Sequence, residues 1–210
     1  MYVPTTLAQP AGALAPAGIV STVPPIGSPV SSAMSVHSAE LNVLDGHQAT
    51  VSGTLRPGLA GRVVTLQALE NHRWRTVARA RTRSAGRFLL RYLPHRTGTE
   101  RVRLRFAGDL FDRGANRRLG WLNVYRLAEA SWYGGGGSMA CGGSLTSSTM
   151  GVANKTLPCG TLVTLRYEGR SVRVPVVDRG PYVAGREFDL TQATKQALGF
   201  GDTGEVWSSR

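Results

Sequence analysis

The sequence of 210 residues lacks several features that would point to common classes of protein. No run of apolar residues approaches the roughly 20 that a membrane-spanning helix needs. No Walker loop or GxGxxG motif follows a predicted strand, so nucleotide binding has no support and we predict no cofactor. The first 55 residues contain no Lys or Arg. Because a secretory signal begins with a basic segment, no signal peptide is evident in this chain.

Histidine and cysteine are also scarce. All four histidines precede residue 127, at positions 37, 47, 72 and 95. A Ser-His-Asp or Cys-His nucleophile therefore cannot be assembled from the C-terminal part alone. The two cysteines are Cys141 and Cys159, and without a nearby histidine we predict no metal site. Both lie in loop-like sequence, which fits a disulfide and an oxidising compartment, or two free thiols.

The positive charge is concentrated in the middle of the chain, where residues 56–126 hold 17 Arg and four acidic residues. This excess predicts an anionic partner such as a wall polymer or a membrane surface, and the alternative is a merely solvated outer face. We predict no nucleic-acid binding, because the Arg residues have no exposed aromatics interleaved on one strand. The outward residues of the predicted strands are Arg73, Arg75, Arg79, Arg81, Arg101, Arg103 and Arg105.

Composition and periodicity predict three units. Residues 1–37 are rich in Ala, Pro and Ser and predict a flexible linker. Residues 38–126 alternate apolar residues with Arg between regularly spaced turns, which predicts a small immunoglobulin-like β-sandwich. Residues 127–210 form the last unit. In the sandwich, one predicted inward face consists of Trp74, Thr76, Ala78 and Ala80.

The last unit is predicted to be mostly β with one short helix. Strands over 162–167 and 171–177 flank a tight turn, and a closing strand covers 203–207. A helix is predicted over 189–198, where Asp189 or Thr191 could cap its start.

The strand over 171–177 leads into a carboxylate. Its period of two places Asp178 at the end of an apolar stripe, after Val174 and Val176. A partly desolvated carboxyl group holds its proton more tightly, as a general acid needs near neutral pH. Asp178 could instead only cap the turn that follows it by accepting backbone N–H groups.

Segments 130–134, 154–161, 177–190 and 197–199 resemble the rare lipoprotein A family, the septal-ring lytic transglycosylases. The resemblance covers about residues 128–210 and implies a six-stranded double-psi β-barrel related to expansins and barwin-like domains. It also implies endolytic cleavage of peptidoglycan between N-acetylmuramic acid and N-acetylglucosamine. In that reaction the muramic acid 6-hydroxyl attacks, so one acid/base residue can suffice where a hydrolase needs two carboxylates. By position that residue is Asp178.

The sequence departs from the family at two positions, because the family's Glu and His fall on Gly143 and Asn154. Resemblance and side-chain chemistry together predict a substrate-binding set of Tyr133, Asn154, Lys155, Thr156, Arg179, Tyr182, Arg186 and Asp189. Arg179 and Arg186 could bind the carboxylates of the glycan or pair with Asp189 or Glu187. Asp189 could be a second acid or a helix cap, and Trp132 and Tyr133 could stack on sugars or lie in the core.

Two functions follow from these observations. The first is a lytic transglycosylase that uses Asp178, and the second is a non-catalytic, expansin-like or barwin-like module that binds peptidoglycan. In either case we expect an all-β, exported, monomeric protein of the cell wall or extracellular space.

Overall fold

The computed structural model describes residues 28–210, and most of the predicted linker, residues 1–27, lies outside the described residues. The described part is almost entirely β-structure with one α-helix. In chain order the elements are β1 (Ala33–Glu40), β2 (Asn42–Leu44), β3 (Ala49–Arg56), β4 (Val63–Glu70), β5 (Arg73–Arg81), β6 (Arg87–Tyr92), β7 (Gly98–Gly108), β8 (Arg113–Tyr133), β9 (Val152–Ala153), β10 (Leu162–Tyr167), β11 (Arg170–Asp178), β12 (Phe188–Thr191), α1 (Gln192–Leu198) and β13 (Thr203–Ser208). Within residues 28–210, no helix has the length and apolarity needed to cross a bilayer.

The first part of the chain is a β-sandwich. One sheet has the order β1-β3-β6, and the other joins β5, β4, β7 and β8, with β2 added parallel to β8. Alternate residues of both sheets, such as Val51, Leu90 and Leu104, fill one hydrophobic core. The predicted all-β fold, with a sandwich ahead of a barrel, is confirmed. Strand β1 begins at Ala33, so residues 33–37 form a strand and not the linker that we predicted.

The predicted face of β5 is wrong in its first half. The register of β5 against β4 shifts at Val77, which is the extra residue of a β-bulge. After the bulge, Ala78 and Ala80 pack towards the core as predicted. Before the bulge the alternation is reversed, and Trp74 lies under the guanidinium of Arg103 on the outer face. One extra residue therefore moves an indole from the predicted inner face to the Arg-rich surface.

The second part of the chain is a six-stranded barrel. Each strand pairs with two others, in the order β8, β13, β10, β11, β9 and β12, and β12 pairs again with β8. The β11–β9 and β12–β8 pairs are parallel, and the others are antiparallel. Buried Val152, Val174, Leu190 and Val206 fill the interior.

Strand β8 belongs to both parts. It is 21 residues long, pairs with β7 over residues 113–124, and pairs with β13 and β12 over residues 126–133. The predicted domain boundary at 126/127 thus lies inside one continuous strand. Side chains support the connection, because the hydroxyls of Thr99 and Thr164 are 3.2 Å apart and the ring centroids of Tyr125 and Trp207 are 5.8 Å apart.

The helix starts later than predicted. Asp189 lies in β12, where it pairs with Ser131 of β8, so its backbone is extended and it cannot cap the helix. Thr191 is the N-cap, and its hydroxyl accepts a hydrogen bond from the backbone N–H of Thr194 at 3.4 Å. Gly199 ends the helix in the left-handed conformation, at φ 70°.

Two buried threonines lock the helix to the barrel wall. The hydroxyls of Thr191 and Thr194 contact both the N–H and the carbonyl of Gly151, and the Thr194 distances are 2.9 Å. Position 151 has no room for a side chain, since a Cβ there would lie 2.5 Å from Cγ2 of Val177. The backbone of this segment is therefore fixed by hydrogen bonds that the helix supplies.

Thr194→Val tests this lock. The substitution keeps the shape of the side chain but removes the two buried hydrogen bonds that the Thr194 hydroxyl makes with Gly151, so it should lower the free energy of unfolding by about 1–3 kcal/mol. The measurement is the chemical denaturation midpoint. Thr203→Val, at an exposed position of β13, is the matched control and should change stability by no more than about 0.5 kcal/mol. Equal losses in the two variants would contradict the lock.

The predicted pairing of the two cysteines is confirmed. Cys141 and Cys159 form a disulfide with a Cα–Cα distance of 5.5 Å and a sequence separation of 18 residues. The bridge ties the loop after β8 to the loop after β9.

A Cys141→Ser, Cys159→Ser double variant should lose about 3 kcal/mol of unfolding free energy, because closing a loop of this length removes that much chain entropy from the unfolded state. Denaturant titration of the oxidised protein, the reduced protein and the double variant checks this. The reduced protein is the control and should match the double variant. Two free thiols per chain under denaturing, non-reducing conditions would rule the bridge out.

Candidate active site

Three adjacent strands bring two carboxylates to one end of the barrel. Ala153 of β9 pairs with Asp178 of β11 on one side and with Asp189 of β12 on the other. The two aspartates thus lie in one row, two strand spacings apart, which is about 10 Å between their backbones. Strand β8 adds Ser131, directly opposite Asp189.

One oxygen of Asp178 is fully engaged and the other is not. Oδ1 accepts hydrogen bonds from the backbone N–H groups of Ala140, at 2.7 Å, and Arg179, at 2.8 Å. Oδ2 accepts no hydrogen bond from any residue between 28 and 210. A register shift between Val176 and Asp178 interrupts the strand alternation at this point. The turn-capping role considered for Asp178 is therefore present, yet it occupies only one oxygen.

A tyrosine hydroxyl lies close to both carboxylates. Oη of Tyr133 is buried beside Asp178, in a contact that does not meet ordinary hydrogen-bond geometry, while Asp189 accepts a hydrogen bond from the Ser131 hydroxyl. Burial raises the pKa of Tyr133, and the negative charges of Asp178 and Asp189 raise that pKa further. The phenol therefore stays protonated at neutral pH. Two carboxylates and a protonated phenol form a site suited to proton transfer.

Asn154 and Arg179 organise a loop. Asn154 is buried, and its Oδ1 accepts from the backbone N–H groups of Thr156 and Leu157 at 3.0 and 2.8 Å. Its Nδ2 donates to the carbonyl of residue 187 at 3.1 Å. The Arg179 guanidinium donates to the carbonyls of Asn154 and Leu157 and to Sγ of Cys159, at 3.0 to 3.2 Å. Both polar groups thus hold segment 154–159 in place.

The ion pairs considered for Arg179 and Arg186 do not form within residues 28–210. Glu187 pairs instead with Arg126 of β8, and Asp189 is held by Ser131. The other predicted substrate ligands lie at the surface. Lys155 and Thr156 are exposed, Tyr182 is 82% exposed, and Arg186 is half-buried.

The structure shows site residues that the sequence did not reveal. Ser131 was missed, although it precedes Tyr133 by two residues in a strand and so shares its face. Trp132 is not a core residue, since it is 37% exposed. Its Nε1 donates to Asp202 at 2.9 Å, and the ammonium of Lys195 lies 4.0 Å from its ring centroid. The hydrogen bonds from Lys195 and Trp132 lower the pKa of Asp202.

Comparisons with known proteins cover this barrel. Residues 127–207 match the family model described as "Lytic transglycolase". The chain is 45% identical over 80 residues to "Probable endolytic peptidoglycan transglycosylase RlpA" of Aquifex aeolicus, and this aligned region covers 36% of this chain and 35% of that protein. It is 40% identical over 87 residues to "Endolytic peptidoglycan transglycosylase RlpA" of Pseudomonas aeruginosa, and this aligned region covers 39% of this chain and 26% of that protein.

Among solved structures, the Streptomyces papain inhibitor is 27% identical to this chain, with a TM-score of 0.33. The aligned region covers 40% of this chain and 91% of the inhibitor. The chain spans about a third or less of the length of the two curated relatives above. The family model matches the part of the chain that forms the six-stranded barrel and carries Tyr133, Asp178 and Asp189. That part, residues 127–207, belongs to the RlpA-like family of double-psi β-barrel domains.

Proposed function

We propose that the barrel is an endolytic lytic transglycosylase that cleaves peptidoglycan between N-acetylmuramic acid and N-acetylglucosamine, with Asp178 as the general acid/base. The observation that carries this proposal is the state of Asp178, which has one oxygen fixed by two backbone N–H groups, while the other accepts no backbone hydrogen bond from residues 28–210 and lies in a carboxylate close to the Tyr133 phenol. The match of residues 127–207 to the lytic transglycosylase family supports the substrate class.

The reaction needs one proton to leave Asp178 and one to return. The protonated carboxyl group donates from Oδ2 to the glycosidic oxygen while the bond from that oxygen to C1 of the muramic acid breaks. The 6-hydroxyl of the same sugar then bonds to C1 and gives its proton to the carboxylate. The products are a 1,6-anhydro end and a new free hydroxyl, and the acid is regenerated without water. The two N–H groups on Oδ1 stabilise the carboxylate that exists between the two steps.

Tyr133 and Asp189 support this cycle in the proposal. The Tyr133 phenol keeps its proton because its pKa is raised, so it can donate a hydrogen bond to the newly formed carboxylate or to a sugar oxygen. The negative charge of Asp189 favours the positive charge that develops at C1 in an oxocarbenium-like transition state. Ser131 holds Asp189 for that role.

The remaining predicted ligands divide into two groups. We propose that Lys155, Thr156, Tyr182 and Arg186 contact the glycan, since they are at least partly accessible. Asn154 and Arg179 act by positioning the loop that presents Lys155 and Thr156, because their own polar atoms are occupied.

A non-catalytic wall-binding module is the second candidate, and one observation favours it. The positions of the family's Glu and His are occupied here by Gly143, at φ +79°, and by the buried Asn154. Neither residue titrates, so the barrel lacks the two titratable side chains that the resemblance would place at these positions. A barrel that holds glycan without cleaving it would not need those two groups.

Asp178→Asn separates these functions. The amide keeps the shape and the hydrogen-bonding reach of the side chain but cannot deliver a proton, so release of anhydro-muropeptides from purified peptidoglycan should fall by about a hundredfold to ten-thousandfold. Mass spectrometry of the products is the measurement. Glu205→Gln, which changes an exposed carboxylate of β13 outside the row, is the control and should release products at the wild-type rate.

Equal release from the wild type and Asp178→Asn would refute the assignment of Asp178. No release from either protein, with binding to peptidoglycan retained, would establish the wall-binding module instead.

Tyr133→Phe tests the electrostatics of the site through pH. The ordinary pKa of tyrosine is about 10, and the folded protein raises the pKa of Tyr133, so at higher pH the unfolded chain releases a proton that the folded chain retains. Unfolding free energy should therefore fall as pH rises above about 10. The Tyr133→Phe variant lacks the phenolic proton, so its unfolding free energy should fall less than that of the wild type between about pH 9 and 11.

Denaturant midpoints across this range give the two slopes. Tyr182→Phe, whose side chain is 82% exposed, is the control and should follow the wild-type slope. Parallel profiles for the wild type and Tyr133→Phe would show that burial and the nearby carboxylates do not raise the pKa of the Tyr133 phenol.

A further inference from the structure

Two indoles lie on the outer face of the larger sandwich sheet. Trp121 of β8 is opposite Arg101 of β7, and Trp74 of β5 is opposite Leu69 of β4. Ala68 of β4 pairs with Val102 of β7, so the adjacent residues Leu69 and Arg101 are also opposite each other. The four outward residues therefore form one row across the sheet. The indoles are three strand spacings apart, about 14 Å. A shallow depression between them is lined by both indoles, Leu69 and Arg101.

Each indole carries a stacked guanidinium. The Arg103 guanidinium lies 4.2 Å from the ring centroid of Trp74. The Arg101 guanidinium lies 5.0 Å from the ring centroid of Trp121. Gln67 fixes Arg103 further, since its Oε1 accepts from Nε at 2.9 Å. A stacked guanidinium keeps its N–H groups in one plane and loses less freedom when it binds a carboxylate.

The positive charge of this face is not neutralised. No carboxylate within residues 28–210 forms an ion pair with Arg101, Arg103 or Arg118. Burial and the charges of Arg105 and Arg118 lower the pKa of Arg103. A bound anion would relieve this repulsion.

The barrel contributes to the same face. Arg173 of β11 lies 4.7 Å from the ring centroid of Trp121, so this indole contacts guanidinium groups from both parts of the chain. Asp178 is five residues further along β11, about 17 Å away. A ligand that reaches both places has to be a polymer.

We propose that this face is a second glycan-binding site, at which Trp74 and Trp121 stack on sugar rings of a peptidoglycan strand and Arg101, Arg103 and Arg173 bind its lactyl or peptide carboxylates. The choice of polymer rests on the proposed function. Indoles offer flat apolar surface for the faces of sugar rings, and guanidinium groups bind carboxylates in a bidentate manner. The same residue types also bind single-stranded nucleic acid, so the test includes that ligand.

The experiment measures binding of the full chain to purified peptidoglycan sacculi by co-sedimentation. All proteins carry Asp178→Asn, so that turnover cannot remove the ligand. Trp74→Ala should weaken binding roughly tenfold, which corresponds to about 1.4 kcal/mol, and Arg101→Gln should weaken binding and reduce its dependence on salt. Trp121→Ala should weaken binding too, but it also removes a contact between barrel and sandwich, so Trp74→Ala decides.

Two variants are matched controls. Arg91→Gln removes the same charge from the outer face of the other sheet, and Phe111→Ala removes an aromatic group that is 63% exposed elsewhere. Both should bind sacculi like the parent. If Trp74→Ala and Arg101→Gln bind no more weakly than these controls, the site does not exist. If a single-stranded oligonucleotide binds more tightly than sacculi and depends on Trp74, the face is a nucleic-acid site and the proposal is wrong.

The proposed function is tested separately, by anhydro-muropeptide release from the protein with Asp178 intact. Absence of release would overturn the transglycosylase, whereas a loss of sacculus binding in Trp74→Ala alone would still establish the glycan site.

Discussion

The continuous strand β8 is the constraint on which the rest of the structure depends. Its first half completes the larger sandwich sheet, and its second half supplies one wall of the barrel. Because β2 and β13 pair with successive segments of this unbroken strand, no irregular linker separates the two parts. The same strand carries Trp121 at the outer sandwich face and, twelve residues later, Tyr133 at the carboxylates. A hinge at the predicted boundary would have removed this coupling.

Much of the fold was predictable because period-two alternation is a local signal. The alternation of Val102, Leu104 and Phe106 identified a half-buried strand correctly, and the tight turn between β10 and β11 was placed correctly as well. Two cysteines in loops were enough to predict a disulfide. In each case the information lies within a few residues, or in a pair with no competing partner.

Errors arose where a distant strand decided the local structure. Asp189 begins a helix-like sequence, but parallel pairing with Ser131, 58 positions away, keeps it extended. The bulge at Val77 leaves no mark in the composition, yet it reverses the face of Trp74. Asn154 and Arg179 have the chemistry of sugar ligands, and only the three-dimensional path of the 154–159 loop shows that this loop uses them. Candidate residues can therefore be read from a motif, while their roles depend on contacts that the motif does not contain.

The resemblance places the family's Glu and His at Gly143 and Asn154, and the backbone at both positions argues against restoring them by two substitutions. Gly143 has φ +79°, where a side chain is strained, and Asn154 is buried with its amide oxygen accepting two backbone N–H groups. Under the proposed function, chemistry therefore depends on Asp178 with Tyr133 beside it. A glycan strand held at the sandwich face would raise the effective concentration of its neighbouring sugars at Asp178. Under the two proposals, tighter retention of the polymer by the arginine-rich sandwich would offset a slower chemical step in the barrel.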